Sequence, residues 1–157
     1  MKNIKERSIS DFDNEIIKVS NFKSSFIDDD PEFLEMLKRV SQKLNMQADF
    51  YSNSKELLES KESYQLLFVD LWLKDSEQNG VDLIRSLKSK HPFSDIVVLS
   101  GDLSPDTMAL CSEFGVCDYI HKRNFDPYAV MDVIDRSESK FERWLHDQPK
   151  MKKYLSF

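Results

Sequence analysis

Cysteine is scarce in this chain: Cys111 and Cys117 are its two thiols. With no further Cys or His at ligand spacing beside them, they read as small core residues in a reducing compartment, not a zinc or redox site. His91, His121 and His146 likewise show no ligand spacing and read as surface residues. No apolar run approaches the ~20 residues needed to span a bilayer, so a membrane span is not expected. Met1 to Ser10 lacks the apolar core of a secretory signal, and the expected compartment is the cytoplasm. Positive charge is not in excess either: 22 Lys and Arg face 28 Asp and Glu, for a net charge of −6. A protein that binds nucleic acid directly normally carries a basic face, so none is expected as a partner. At 157 residues, 40% apolar and 32% charged, the chain suits one soluble domain with a few dozen residues to spare.

The stretch Leu66-Leu67-Phe68-Val69-Asp70 organises what is present. A short apolar run with β-branched and aromatic members reads as a strand buried on both faces. A carboxylate at its end lies where open α/β sheets bind their ligands. Similar strands are expected over residues 23–27, 47–51, 96–99 and 116–120, ending near Asp28-Asp29-Asp30, Tyr51, Ser100-Gly101 and His121-Lys122. Helical spacing marks the segments between them. Asp30-Pro31 opens a helix with Phe33, Leu34, Leu37, Val40 and Leu44; Leu57 and Leu58 mark a second near 54–59. Val81, Leu83, Ile84 and Leu87 mark a third, ending before His91-Pro92. Pro105 opens a fourth that Gly115 stops, and Asp126-Pro127 opens the last. Five strand–helix units in alternation predict a doubly wound (βα)5 domain with one parallel sheet. Right-handed crossovers then gather every strand's carboxyl end on one rim.

Asp28, Asp29 and Asp70 would repel one another on that rim. A divalent cation with oxygen ligands relieves the repulsion, and Mg2+ suits a site that also handles a phosphoryl group. Lys122 adds a mobile positive charge and Ser100 a hydroxyl donor. Positioning and charge neutralisation are what phosphoryl transfer chiefly needs.

On Phe26-Ile27-Asp28-Asp29-Asp30, Phe68-Val69-Asp70, Val98-Leu99-Ser100-Gly101 and Asp118-Tyr119-Ile120-His121-Lys122, the chain resembles the receiver (phosphoacceptor) domain of bacterial two-component response regulators. The resemblance covers about residues 22–136, leaving residues 1–21 as an N-terminal extension and 137–157 as a C-terminal helical extension and tail. It implies a flavodoxin-like five-stranded sheet in the order 2-1-3-4-5 and a signalling domain rather than an enzyme. It further implies Asp70 as phosphoacceptor, with Asp28, Asp29, Asp70 and the Trp72 backbone carbonyl holding Mg2+. Ser100 and Lys122 would contact the phosphoryl group, and Tyr119 sits at the aromatic switch position, although a core role fits it equally. The expected phosphodonor is a histidine kinase or phosphotransfer protein. The expected output is a downstream protein or effector domain outside this chain.

Three positions depart from the family pattern: Lys74 and Arg123 stand where prolines are usual, and the loop from Asp70 to Gly80 is about two residues longer. Two other readings compete with a phosphorylated receiver. One is a receiver-like interaction module that works without phosphorylation. The other is a haloacid-dehalogenase-like phosphatase using Asp28 and Asp30, which leaves Asp70 unexplained. Beyond the sheet, Ile134, Phe141, Trp144 and Leu145 continue an apolar stripe along the last helix. It can dock on the domain, pair with a second copy in a homodimer, or lead into an effector. The stretch after residue 147 is too short for a helix-turn-helix or catalytic domain, so the expectation is a single-domain regulator or a receiver fragment of a longer protein.

Overall fold

Alternate residues of each central strand bury against opposite layers of helix, and that two-sided burial sets the architecture. The computed structural model describes residues 22–74 and 79–147; the expected extension over residues 1–21 and the basic tail lie outside them. Strands β1 (Ser24–Ile27), β2 (Ala48–Tyr51), β3 (Leu66–Val69), β4 (Asp95–Ser100) and β5 (Val116–His121) alternate with helices. These are α1 (Pro31–Lys43), α2 (Ser54–Glu59), α3 (Gly80–Lys90), α4 (Pro105–Glu113) and α5 (Pro127–Asp147). The strands form one parallel sheet in the order β2-β1-β3-β4-β5, as the family resemblance implies.

In β3, Leu66 and Phe68 face the layer built by α1 and α5, joining Leu34, Leu37, Val130 and Ile134. Leu67 and Val69 face the layer of α2, α3 and α4, joining Leu57, Leu83, Ile84, Leu87 and Cys111. Phe26 pairs in register with Phe50 on one side and Phe68 on the other. Its ring stacks on theirs at 5.4 and 4.4 Å, each pair contributing about 0.5–1.5 kcal/mol beyond burial.

Side-chain caps start the helices where the sequence places them. Asp30, Asn53, Asn79 and Ser104 each accept backbone N–H groups of the following turn, and Asp126 accepts from Tyr128 N at 2.9 Å. Gly115 ends α4 at φ 83°, a conformation open to glycine. Gly80 is required by proximity: a Cβ there would lie 2.6 Å from the Leu71 carbonyl oxygen. The first turn of α3 is thereby pressed onto the residue that follows Asp70.

The C-terminal extension of α5 docks on its own domain. Phe141 packs edge-on to Phe22 at 6.1 Å, while Trp144 stacks on Phe141 at 6.3 Å and on Phe93 at 6.1 Å. Asp95, at the start of β4, accepts from Ser137 Oγ at 2.7 Å and Lys140 Nζ at 2.6 Å.

Two expectations fail. His91 is buried, because the turn from α3 to β4 sets its ring against Tyr64 at 6.0 Å. Cys117 is exposed, on β5, the edge strand, where only Val116 and Ile120 are buried; Cys111 does join the core. Among the described residues no helix is long and apolar enough to cross a membrane.

Candidate functional site

The parallel sheet brings the carboxyl ends of β1, β3, β4 and β5 to one rim, and the polar groups there meet. Asp28 and Asp29 leave β1, Asp70 leaves β3, Ser100 ends β4, and Lys122 opens a 3-10 turn after β5. The β3–β4 register pairs Val69 with Val98, which sets Asp70 level with Leu99 and Ser100 one residue beyond. Asp28, Asp70 and Ser100 are all buried.

The three carboxylates each place one oxygen within 4.8 Å of the others. Lys122 bridges two of them: its Nζ donates to Asp70 Oδ2 at 2.7 Å and forms an ion pair with Asp28 Oδ2. Asp28 Oδ2 is buried, and the Lys122 ammonium is its charge partner. Burial pushes the Asp28 carboxyl above its ordinary range and the Asp70 charge adds to the rise, against the pull of Lys122 and the Asp30 N–H. Burial alone would lower the Lys122 ammonium, but the two carboxylates beside it raise it overall. The lysine therefore stays charged within the cluster.

Main-chain donors complete the arrangement. Asp30 N donates to Asp28 Oδ1 at 2.9 Å, Trp72 N to Asp70 Oδ1 at 3.1 Å, and Lys74 N to Asp29 Oδ2 at 2.7 Å. Each carboxylate thus accepts one N–H and keeps a second oxygen. Three acidic side chains, each with an oxygen within 4.8 Å of the others, form an all-oxygen donor set that fits a hard divalent cation such as Mg2+. A cleft of about 400 Å³ opens over Asp70, lined by Trp72, Gly101, Asp102 and Lys122. It is large enough to admit a phosphoryl donor group to the carboxylate, and Trp72, 61% exposed, forms its lip.

Tyr119 lies half-buried beside the core, its hydroxyl donating to Met108 O at 2.7 Å and sharing a hydrogen bond with Ser112 Oγ. Asp30, the second carboxylate that a dehalogenase-like reaction would need, is committed to capping α1.

Sequence reasoning missed two contributors. Phe33 lays its ring 4.8 Å from Lys122 Nζ and packs edge-on against Phe125 at 5.3 Å; helical periodicity marked it only as part of the α1 stripe. The Lys74 N–H carries no residue signature except that the position is not proline.

A family model described as "Response regulator receiver domain" matches residues 25–135. PilR, a response regulator of Pseudomonas aeruginosa, is 26% identical over 106 residues, covering 66% of this chain and 23% of that protein. RegA, a photosynthetic apparatus regulatory protein of Rhodovulum sulfidophilum, is 31% identical over 98 residues, covering 61% of this chain and 52% of its own. The chain spans about a fifth to a half of the length of these curated relatives. A CheY-like receiver domain protein of Methanospirillum hungatei superposes with a TM-score of 0.70 at 18% identity, covering 78% of this chain and 97% of that one. The BeF3-activated DrrB receiver domain gives 0.66 at 22%, covering 74% and 96%. At these identities the superpositions establish the shared fold.

Proposed function

The chain belongs to the response regulator receiver domain family of two-component signalling, and on that premise we propose that Asp70 is its phosphoacceptor. The observation that carries the proposal is the pairing of Asp70, buried at the end of β3, with Lys122 at 2.7 Å beside two further carboxylates. The receiver domain occupies residues 22–136, with 1–21 and 137–157 as extensions.

An Asp70 carboxylate oxygen attacks the phosphorus of a phosphohistidine on a histidine kinase or phosphotransfer protein, or of a small acyl phosphate. The new O–P bond forms as the bond to the donor breaks, and the donor leaves with that bond's electron pair. Asp28, Asp29, Asp70 and the Trp72 carbonyl would hold Mg2+, which when bound neutralises charge on the phosphoryl oxygens and the carboxylates. Lys122 shifts its charge from the carboxylates to the phosphoryl group, and Ser100 donates its hydroxyl there. The resulting aspartyl phosphate pulls Ser100 toward it, and the Tyr119 ring turns into the vacated space. That movement breaks its bonds to Met108 and Ser112 and remodels the surface of α4, β5 and α5. A downstream protein or effector domain reads the change. The domain is a signalling module whose only chemistry is its own phosphorylation and dephosphorylation, and its proposed setting is the cytoplasm.

Treatment with acetyl phosphate and Mg2+, then borohydride reduction and peptide mapping, is expected to mark Asp70. Marking at another residue removes Asp70 as acceptor. No marking at all favours an interaction module that works unphosphorylated.

A further inference from the structure

The three carboxylates of the site are held by main-chain donors of two kinds. Asp28 and Asp70 each accept from the N–H two residues ahead, a local turn that any such loop can form. Asp29 differs. Its donor, the Lys74 N–H, lies 45 residues away, in the loop between β3 and α3. At 2.7 Å this is a charge-assisted bond. It links the end of β1 to the segment that leaves Asp70.

We infer that the Lys74 main-chain N–H is a positioning group for the cation site, so that cation binding and the placement of Lys74 against Asp29 are coupled. The inference rests on the reading of Asp28, Asp29 and Asp70 as Mg2+ ligands. Asp29 is the least buried of the three, and burial that immobilises Asp28 and Asp70 does less to hold it. A carboxylate free to sample rotamers loses entropy when a cation captures it. With Oδ2 tied to the loop, Asp29 is already oriented and offers its other oxygen to the cation. Hydrogen bonds of this outer kind change metal affinity about 10- to 100-fold when removed. Binding linkage then runs both ways: whatever the Asp29–Lys74 bond adds to cation affinity, the cation adds to the stability of that bond. Gly80 strengthens the coupling, because its contact with Leu71 ties the same loop to the start of α3.

Only proline lacks the N–H, which gives the test a matched pair. Lys74→Pro and Lys74→Ala remove the same side-chain charge, but Lys74→Ala keeps the donor. Mg2+ titration by calorimetry is expected to show Lys74→Pro binding about tenfold more weakly than Lys74→Ala. The two variants should melt within a few degrees of each other in EDTA. A second measurement needs no substitution: amide exchange at Lys74 in the wild type should slow when Mg2+ is added. Equal Mg2+ affinity in the two variants, or exchange at Lys74 indifferent to Mg2+, overturns the coupling while leaving the metal site intact. A wild type that binds no Mg2+ overturns the metal reading itself, and this inference with it.

Discussion

Lys122→Met tests the electrostatic logic of the site most severely, because it keeps the length of the side chain and deletes its charge. In the wild type the ammonium lies 2.7 Å from Asp70 Oδ2 and against Asp28 Oδ2, with these carboxylate side chains 5% and 2% exposed and the lysine 19%. At an effective dielectric of ~20, the Asp70 contact alone represents about 6 kcal/mol of attraction, most of it offset by desolvation of the charges. Removing one partner of a fully enclosed pair costs about 3–5 kcal/mol. The open cleft beside Lys122 reduces that to about 2–3 kcal/mol, since water reaches the stranded carboxylates. A domain of this size loses about 3–5 °C of Tm per kcal/mol, so the variant should melt about 6–15 °C lower in EDTA. Mg2+ should reverse most of the loss, because a ligand at a hundred times its Kd contributes about 2.7 kcal/mol. The variant should also bind Mg2+ more tightly than the wild type, having no resident cation in the cluster. Thermal denaturation in EDTA and across a Mg2+ series measures all of this. Equal melting in EDTA, with equal Mg2+ responses, would show that Lys122 does not neutralise the cluster and would refute the reasoning.

Three further outcomes are expected elsewhere in the fold. Gly80→Ala drives a methyl into the Leu71 backbone, and should cost about 1–3 kcal/mol, read as a lower urea midpoint, while slowing phosphorylation at the displaced Asp70 loop. Burial, helped by the Lys90 charge, holds His91 below its ordinary 6.5. The stability this neutral ring contributes is fully present above pH 6.5 and declines as pH falls toward its depressed value, because the unfolded chain takes up the proton first. Denaturation between pH 7.5 and 5 should show that decline, and His91→Phe should flatten it. Trp144→Ala removes the stack on Phe93 and Phe141 and should cost about 1–2 kcal/mol, whereas Mg2+ affinity, set at the opposite end of the sheet, should not move.

The strands and helices were legible because their determinants are local, whereas the strand order came from the family resemblance. Apolar strand cores, cap-and-proline helix starts at Asp30-Pro31 and Asp126-Pro127, and Gly115 all act within a few residues. The strand-end rule then carried Asp28, Asp29, Asp70, Ser100 and Lys122 to one rim before any distance was known. What stayed hidden depends on long-range placement. The burial of His91 follows from the α3–β4 turn setting its ring against Tyr64, and the exposure of Cys117 from β5 being an edge. Phe33 reads as one more apolar helix residue until Lys122 is seen beneath its ring. The Lys74 N–H is a backbone group, invisible to any argument built on side chains; Lys74 was legible only as the absence of a proline.

The central claim is that Asp70 accepts a phosphoryl group in a Mg2+-dependent reaction. Intact mass after incubation with acetyl phosphate tests it most directly, with wild type in Mg2+, wild type in EDTA, and Asp70→Asn in Mg2+ run side by side. One phosphoryl adduct on the wild type in Mg2+, absent from both controls, is the predicted result. An adduct that persists in Asp70→Asn, or that forms equally in EDTA, would contradict the account.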